Sequence, residues 1–109
     1  MQFLLLIYED EKRLASGPPE SEVAEYAAFT ERHAALVTPP KFLQSTGAAK
    51  TVRTRNGEGT IRIGPYAETK EQLTGFCVIE ADSLDHAAMI ALGLPAARHG
   101  CIEVRPFRD

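Results

Sequence analysis

Two stretches of this chain carry apolar residues at consecutive rather than alternating positions. Residues 2–8 read Gln-Phe-Leu-Leu-Leu-Ile-Tyr, and residues 73–81 read Leu-Thr-Gly-Phe-Cys-Val-Ile-Glu-Ala. Successive side chains of a strand point to opposite faces. Phe3, Leu5 and Ile7 therefore share one face of the first strand, with Leu4, Leu6 and Tyr8 on the other. In the second stretch Phe76 and Val78 oppose Cys77 and Ile79. Strands apolar on both faces predict cover on both sides.

Between them the period changes. Pro18 and Pro19 suit a helix start, where the first amides have no intrahelical partner. The spacing predicts a helix from about Glu20 to Val37, with Val23, Tyr26, Ala27, Thr30, Ala34 and Val37 on one face. Phe29 and Leu36 widen that face, Glu22, Glu25 and Glu31 point largely away from it, and Pro39 and Pro40 end the helix. Phe42–Leu43 is a short extended entry. Residues Ala48–Arg55 and Thr60–Ile63 flank Asn56–Gly57, a strong hairpin signal. This hairpin reads as polar and short, so it should lie at an edge or protrude. After residue 81, Asp82 or Ser83 caps a second helix with Asp85 in its first turn. Leu84, Ala87, Ala88 and Ala91 form its predicted stripe, Gly93 stops it, and Pro95 is expected to prevent a restart. Cys101–Phe107 is the last strand.

The resulting order, β-α-β(hairpin)-β-α-β, is the split βαβ, ferredoxin-like pattern of the α+β class. Its central strands are the two that are apolar on both faces. Two helices can cover one side of such a sheet. The other side calls for a second copy of the chain, so a homodimer is expected.

Length and charge narrow the function. At 109 residues the chain is one domain, residues 1–109, with 44% apolar residues to build a core. The formal net charge of −3 and the lack of a Lys/Arg run argue against nucleic acid. Arg53, Arg55 and Arg62 read as a solvated hairpin face. The N-terminal apolar run is too short, and its flank too acidic, for a secretory signal, and no stretch is long enough to cross a bilayer. A cytoplasmic location is expected, with Cys77 and Cys101 as free, buried thiols. No Cys/His spacing resembles a metal site, and no cofactor motif occurs.

The densest run of polar groups is Gly64-Pro65-Tyr66-Ala67-Glu68-Thr69-Lys70-Glu71-Gln72-Leu73-Thr74-Gly75-Phe76. GPYAETKEQLTGF closely resembles the DGPF-type motif of the YCII-related proteins, whose usual form is DGPFAETKEQLGGF. The opening FLLLIYED and the closing PAARHGCIEVRPF match that family's two ends. Ile63 stands at the motif's usual Asp and Tyr66 at its usual Phe. The resemblance covers nearly the whole chain and implies a dimeric α/β barrel, in which two sheets pack face to face.

The resemblance also implies a helix histidine that acts with an aspartate as an acid/base dyad. His33 matches the histidine, and the aspartate has no counterpart between Val37 and Lys50. His33 thus has two readings, a catalytic proton carrier or a half-buried helix-face residue, and the first needs an orienting partner. Tyr66, Glu68, Thr69 and Lys70 form the candidate ligand-binding set. They line a pocket on one reading and satisfy the loop's own backbone on the other. His86, His99 and Arg105 read as solvent-facing. Two functions follow. One is a small cofactor-independent enzyme of lyase or isomerase type acting on a small organic acid or aromatic compound. The other is a non-catalytic ligand-binding or regulatory module.

Overall fold

A computed structural model describes residues 1–108. The strand β1 (Gln2–Asp10) runs through the middle of a four-stranded antiparallel sheet. On one side it pairs with β5 (Glu71–Glu80), Leu5 opposite Cys77. On the other it pairs with β6 (Cys101–Pro106), Leu5 opposite Val104. The two-residue strand β2 (Lys41–Phe42) closes the far edge of β5. β1 and β2 are thus parallel with β5 between them, and β5 and β6 are parallel with β1 between them. That is the split βαβ arrangement expected from the sequence, and the α+β class holds. The separate strands β3 (Lys50–Arg55) and β4 (Glu58–Ile63) make a two-stranded sheet of their own.

The core lies on one face of the large sheet. Phe3, Leu5, Cys77 and Ile79 pack against Phe29 of α1 (Glu20–Arg32), Ala87 and Ala91 of α2 (Leu84–Ala91), and Leu94. On the opposite face Leu4, Leu6, Phe76 and Val78 are only half-buried within the chain. Ser83 caps α2, its hydroxyl accepting from the His86 amide at 3.1 Å.

Several expectations need correction. α1 ends at Arg32, five residues early, and His33 is its C-cap. Residues 36–38 instead run along the edge of β5: Val37 bridges to Ile79, and the Thr38 amide donates to the Val78 carbonyl at 3.0 Å. Thr38 precedes a proline, which disfavours helix and suits this extended path. The buried side of α1 is also rotated from the predicted one. Glu22 and Phe29 are its buried residues, whereas Val23 and Ala27 are exposed. In α2, Leu84 and Ala88 face solvent, so the stripe is Ala87, Ile90 and Ala91. Pro95 does not prevent a restart. Its φ of −53° fits a helix start, and a short helix α3 (Ala96–His99) follows it directly.

Cys77 is buried as expected, and burial pushes its thiol up to about 11. Cys101 is exposed, contrary to expectation, because it pairs with Tyr8 on the sheet face away from the helices. Both are free thiols.

The β3–β4 hairpin turns through Asn56 and Gly57, both with positive φ (52° and 79°), as a tight primed turn requires. It protrudes as expected, but one face is not polar. Val52 and Ile61 are paired across it, Ile63 lies beside them, and all three are exposed. The radius of gyration, 15.6 Å, reflects this arm; a compact chain of this length has about 13 Å. No helix among the described residues is long and apolar enough to cross a membrane.

Candidate functional site

The alternation of β1 does not stop at its last apolar residue. Phe3, Leu5, Ile7 and Glu9 share the core-facing side, so the chain carries a carboxylate inward at the end of the strand. Glu9 is 3% exposed. The next residues fold back in tight turns, with the Arg13 amide donating to the Asp10 carbonyl and the Leu14 amide to the Glu11 carbonyl. This reversal swings the Arg13 guanidinium beneath Glu9. The first turn of α1 brings Glu22, 6% exposed, to the same point.

The three side chains form one assembly. Arg13 Nη2 donates to Glu9 Oε1 at 2.7 Å and to Glu22 Oε1 at 2.6 Å, and Nη1 donates to Glu22 Oε2 at 2.9 Å. Two parallel bonds from a planar guanidinium to one carboxylate are the strong form of this contact. The guanidinium holds the Glu22 carboxyl below the usual range against the opposing effect of burial. Hydrogen bonding to Glu22 raises Arg13 in turn. His99 of α3 adds an Nε2 at 3.8 Å from Glu22 Oε2. The second oxygen of Glu9 has no hydrogen-bond partner among the described residues.

Above this assembly lies a cleft of about 380 Å³. Its floor includes Glu9 and Glu22, and its walls are mainly apolar, from Leu14, Val23, Phe42, Leu43 and Leu73. Tyr26 packs edge-on against Phe42 with ring centroids 4.9 Å apart. Burial raises the Tyr26 phenol above its ordinary value, and Glu9 adds to the shift. Glu11 closes one rim: its carboxylate accepts from the Thr46 hydroxyl at 2.6 Å and the Thr46 amide at 2.8 Å. β2 forms the outer wall and sits tightly on β5. A Cβ at Gly75 would lie 2.8 Å from the Lys41 carbonyl oxygen and the Phe42 ring, so only glycine lets this wall approach.

The sequence-selected residues lie elsewhere. His33 sits at the end of α1 against Phe29, ring centroids 4.8 Å apart, and does not line the cleft. Burial, and then Arg32, lower its pKa. No carboxylate among the described residues pairs with it. Glu68, Thr69 and Lys70 are brought together along a second, shallower cleft with Glu11 and Lys12. Thr69 also donates to the Glu71 carbonyl at 2.6 Å, and Gln72 to the carbonyls of Ala67 and Thr69, so this loop satisfies part of its own backbone. Tyr66 is exposed, with the Arg53 guanidinium 5.4 Å from its ring centre.

The sequence pattern of the YCII-related domain family matches residues 1–109. An uncharacterised protein of Rhizobium meliloti (strain 1021) is 36% identical over 114 residues, covering 98% of this chain and 92% of that protein. Among solved structures, the fold is similar to that of 5-chloro-2-hydroxyhydroquinone dehydrochlorinase (TftG) from Burkholderia phenoliruptrix AC1100, in complex with 2,5-dihydroxybenzoquinone. The TM-score is 0.61 at 15% identity, over 99% of this chain and 94% of that one.

Proposed function

The chain belongs to the YCII-related domain family, and from that premise and the cleft we propose that it binds a small organic molecule over Glu9 and carries out proton-transfer chemistry of lyase or isomerase type. The observation that carries this reading is a nearly sealed carboxylate, Glu9, with one oxygen held by Arg13 and the other unpartnered in an apolar, ring-sized cleft. Clefts of this size with a few convergent polar groups are the usual form of a small-molecule site. Arg13 and Glu22 orient Glu9, and its open oxygen is the group placed to take a proton from a bound ligand. The dehydrochlorinase of similar fold supports the reaction class by analogy alone.

The test has two stages. Thermal shifts against a metabolite library identify ligands, since binding to the folded state raises apparent stability. Hits are then incubated with the protein in heavy water. Deuterium should enter or replace a carbon-bound hydrogen of the true substrate, and Glu9→Gln should abolish this while leaving the fold intact. Binding without exchange would favour the non-catalytic module. A hit bound equally by the parent, Glu9→Gln and Phe42→Ala would place the site elsewhere. Parallel variants His33→Ala and Lys70→Ala report whether the ligand reaches the end of α1 or the second cleft.

The same proposal includes a homodimer and a cytoplasmic location. Leu4, Leu6, Phe76 and Val78 form a half-buried apolar strip on the helix-free face of the sheet, and the free thiols suit a reducing compartment. Covering one Leu-sized side chain contributes roughly 1.5–3 kcal/mol, so a second copy is strongly favoured there. Light scattering at micromolar concentration should give twice the chain mass. Cys101, on the same face, should label with a thiol reagent more slowly as the dimer forms. A monomeric mass, with labelling independent of concentration, would rule the dimer out.

A further inference from the structure

Resting on the reading of this cleft as a small-molecule site, we infer that it selects ligands whose polar end donates hydrogen bonds and carries no negative charge, and that it rejects carboxylates and phosphates. The reason lies in the charges around it. Three carboxylates line the cleft, Glu9, Glu11 and Glu22, and no Lys, Arg or His does. The cation behind the floor, Arg13, is already committed. Its Nη1 and Nη2 bind Glu9 and Glu22, and its Nε is sealed from solvent without a partner. Glu9 and Glu22 bring two negative charges against one positive charge, leaving a surplus of one negative charge in a low-dielectric floor.

Arg98 and His99 attract Glu22 from behind the floor, but neither lines the cleft. Arg98 is held by both oxygens of Glu25, at 2.8 and 2.9 Å. His99 meets Glu22 at 3.8 Å and is outside the cleft lining. Glu11 uses both its oxygens on Thr46. The polar groups offered to a ligand are thus the open oxygen of Glu9, which can only accept, and the neutral side chains of Tyr26, Gln44 and Ser45, none of which supplies a positive charge. A hydroxyl or ammonium group satisfies the Glu9 oxygen. An anionic group finds an acceptor of its own sign in a setting where water screens little. The apolar walls and the edge-on Tyr26–Phe42 pair add a preference for a flat, apolar body. Of the substrate classes raised by the sequence, this favours the hydroxylated or amino-bearing aromatic over the organic acid.

Three probes of one ring size separate the outcomes: benzylamine as the cationic donor, catechol as the neutral donor and benzoate as the anion. Amide resonances of Val23 and Leu43–Ser45 in the ¹⁵N-labelled protein report occupancy of the cleft at millimolar probe. Benzylamine and catechol should shift them with affinities at least about tenfold above that of benzoate. Glu9→Gln, with its fold checked in the same spectra, should narrow the benzylamine-to-benzoate ratio. Benzoate binding as tightly as benzylamine in the parent, or a ratio unchanged by Glu9→Gln, overturns the inference and leaves the cleft a small-molecule site. No shift from any of the three overturns the small-molecule reading and the inference together.

Discussion

Replacing Arg13 by Met should destabilise the protein by about 3–5 kcal/mol, the usual cost of leaving buried charge uncompensated. Against a total stability of about 5–15 kcal/mol this is the largest effect expected of any single polar substitution here. Met retains most of the aliphatic length, so the loss reports the charge and its hydrogen bonds. The pH dependence separates this mechanism from simple loss of packing. In the parent, Glu22 titrates below its ordinary value of 4.5 because Arg13 favours the charged form. A carboxyl depressed on folding contributes stability above its unfolded pKa, and that contribution is lost as pH falls through the lowered folded value. Without Arg13, burial outweighs the weaker attractions of His99 and Arg98 on Glu22 and raises it. Its ionisation then opposes folding, so the variant should gain stability as pH is lowered from 7 towards 5, where the parent does not. Urea unfolding of both proteins at pH 7 and pH 5 checks the sign. A variant within about 0.5 kcal/mol of the parent at pH 7 would show that the assembly carries no net stability.

Gly100→Ala should be nearly as damaging, for a steric reason. Gly100 closes α3, its amide donating to the Ala96 carbonyl at 2.8 Å, and lies against the end of β1. An added Cβ would fall on the Tyr8 carbonyl oxygen, 3.0 Å from the Tyr8 carbonyl carbon and 3.1 Å from the Glu9 Cα. These are backbone atoms of the central strand and cannot rotate aside. Overpacking of this kind costs about 1–3 kcal/mol and sometimes more. The displacement is aimed at Glu9, so ligand binding in the cleft should weaken beyond what the loss of stability explains. Gly59 is the control: an added Cβ meets nothing within 4 Å there, and its φ is not positive. Gly59→Ala should stay within about 0.5 kcal/mol of the parent. Equal unfolding midpoints for Gly100→Ala and the parent would contradict this account.

The framework of the fold was legible in the sequence because it depends on local period. The doubly apolar strands became β1 and β5, the two central strands, and Asn56–Gly57 became the hairpin turn. Errors arose where a partner distant in sequence decided the outcome. Glu22 lies away from the stripe predicted for α1, which runs through Val23, Tyr26, Ala27 and Thr30. The spacing Glu22, Tyr26, Phe29, His33 follows the helical period as well as the predicted stripe does, and Arg13, from the turns after β1, reaches across to Glu22 on that side while Phe29 enters the core. Glu9 opens the acidic run Glu9-Asp10-Glu11, yet it continues the alternation Phe3, Leu5, Ile7. The early end of α1 has the same origin, since residues 36–38 pair with β5 some forty positions away. Motif reading draws attention to Gly64–Phe76, whose Leu73 and Thr74 line the cleft, whereas Glu9, Glu22 and Phe42 reach it from elements that carry no motif.

The protruding β3–β4 arm divides the chain into parts of unequal durability. Its strands pair with each other, and neither packs extensively on another element. Its root is held by the Gly64 amide on the Ala49 carbonyl and by the Thr51 hydroxyl on the Gly64 carbonyl, both at 2.8 Å. A two-stranded ribbon alone is marginal in water. The arm can therefore open and close while the four-stranded sheet stays intact, as a small cooperative unit of its own. In the isolated chain its backbone amides exchange with solvent by this local route, long before those of β1. Changes in the arm's length or composition are likewise felt by whatever packs on it, and scarcely by the core that holds Glu9 in place.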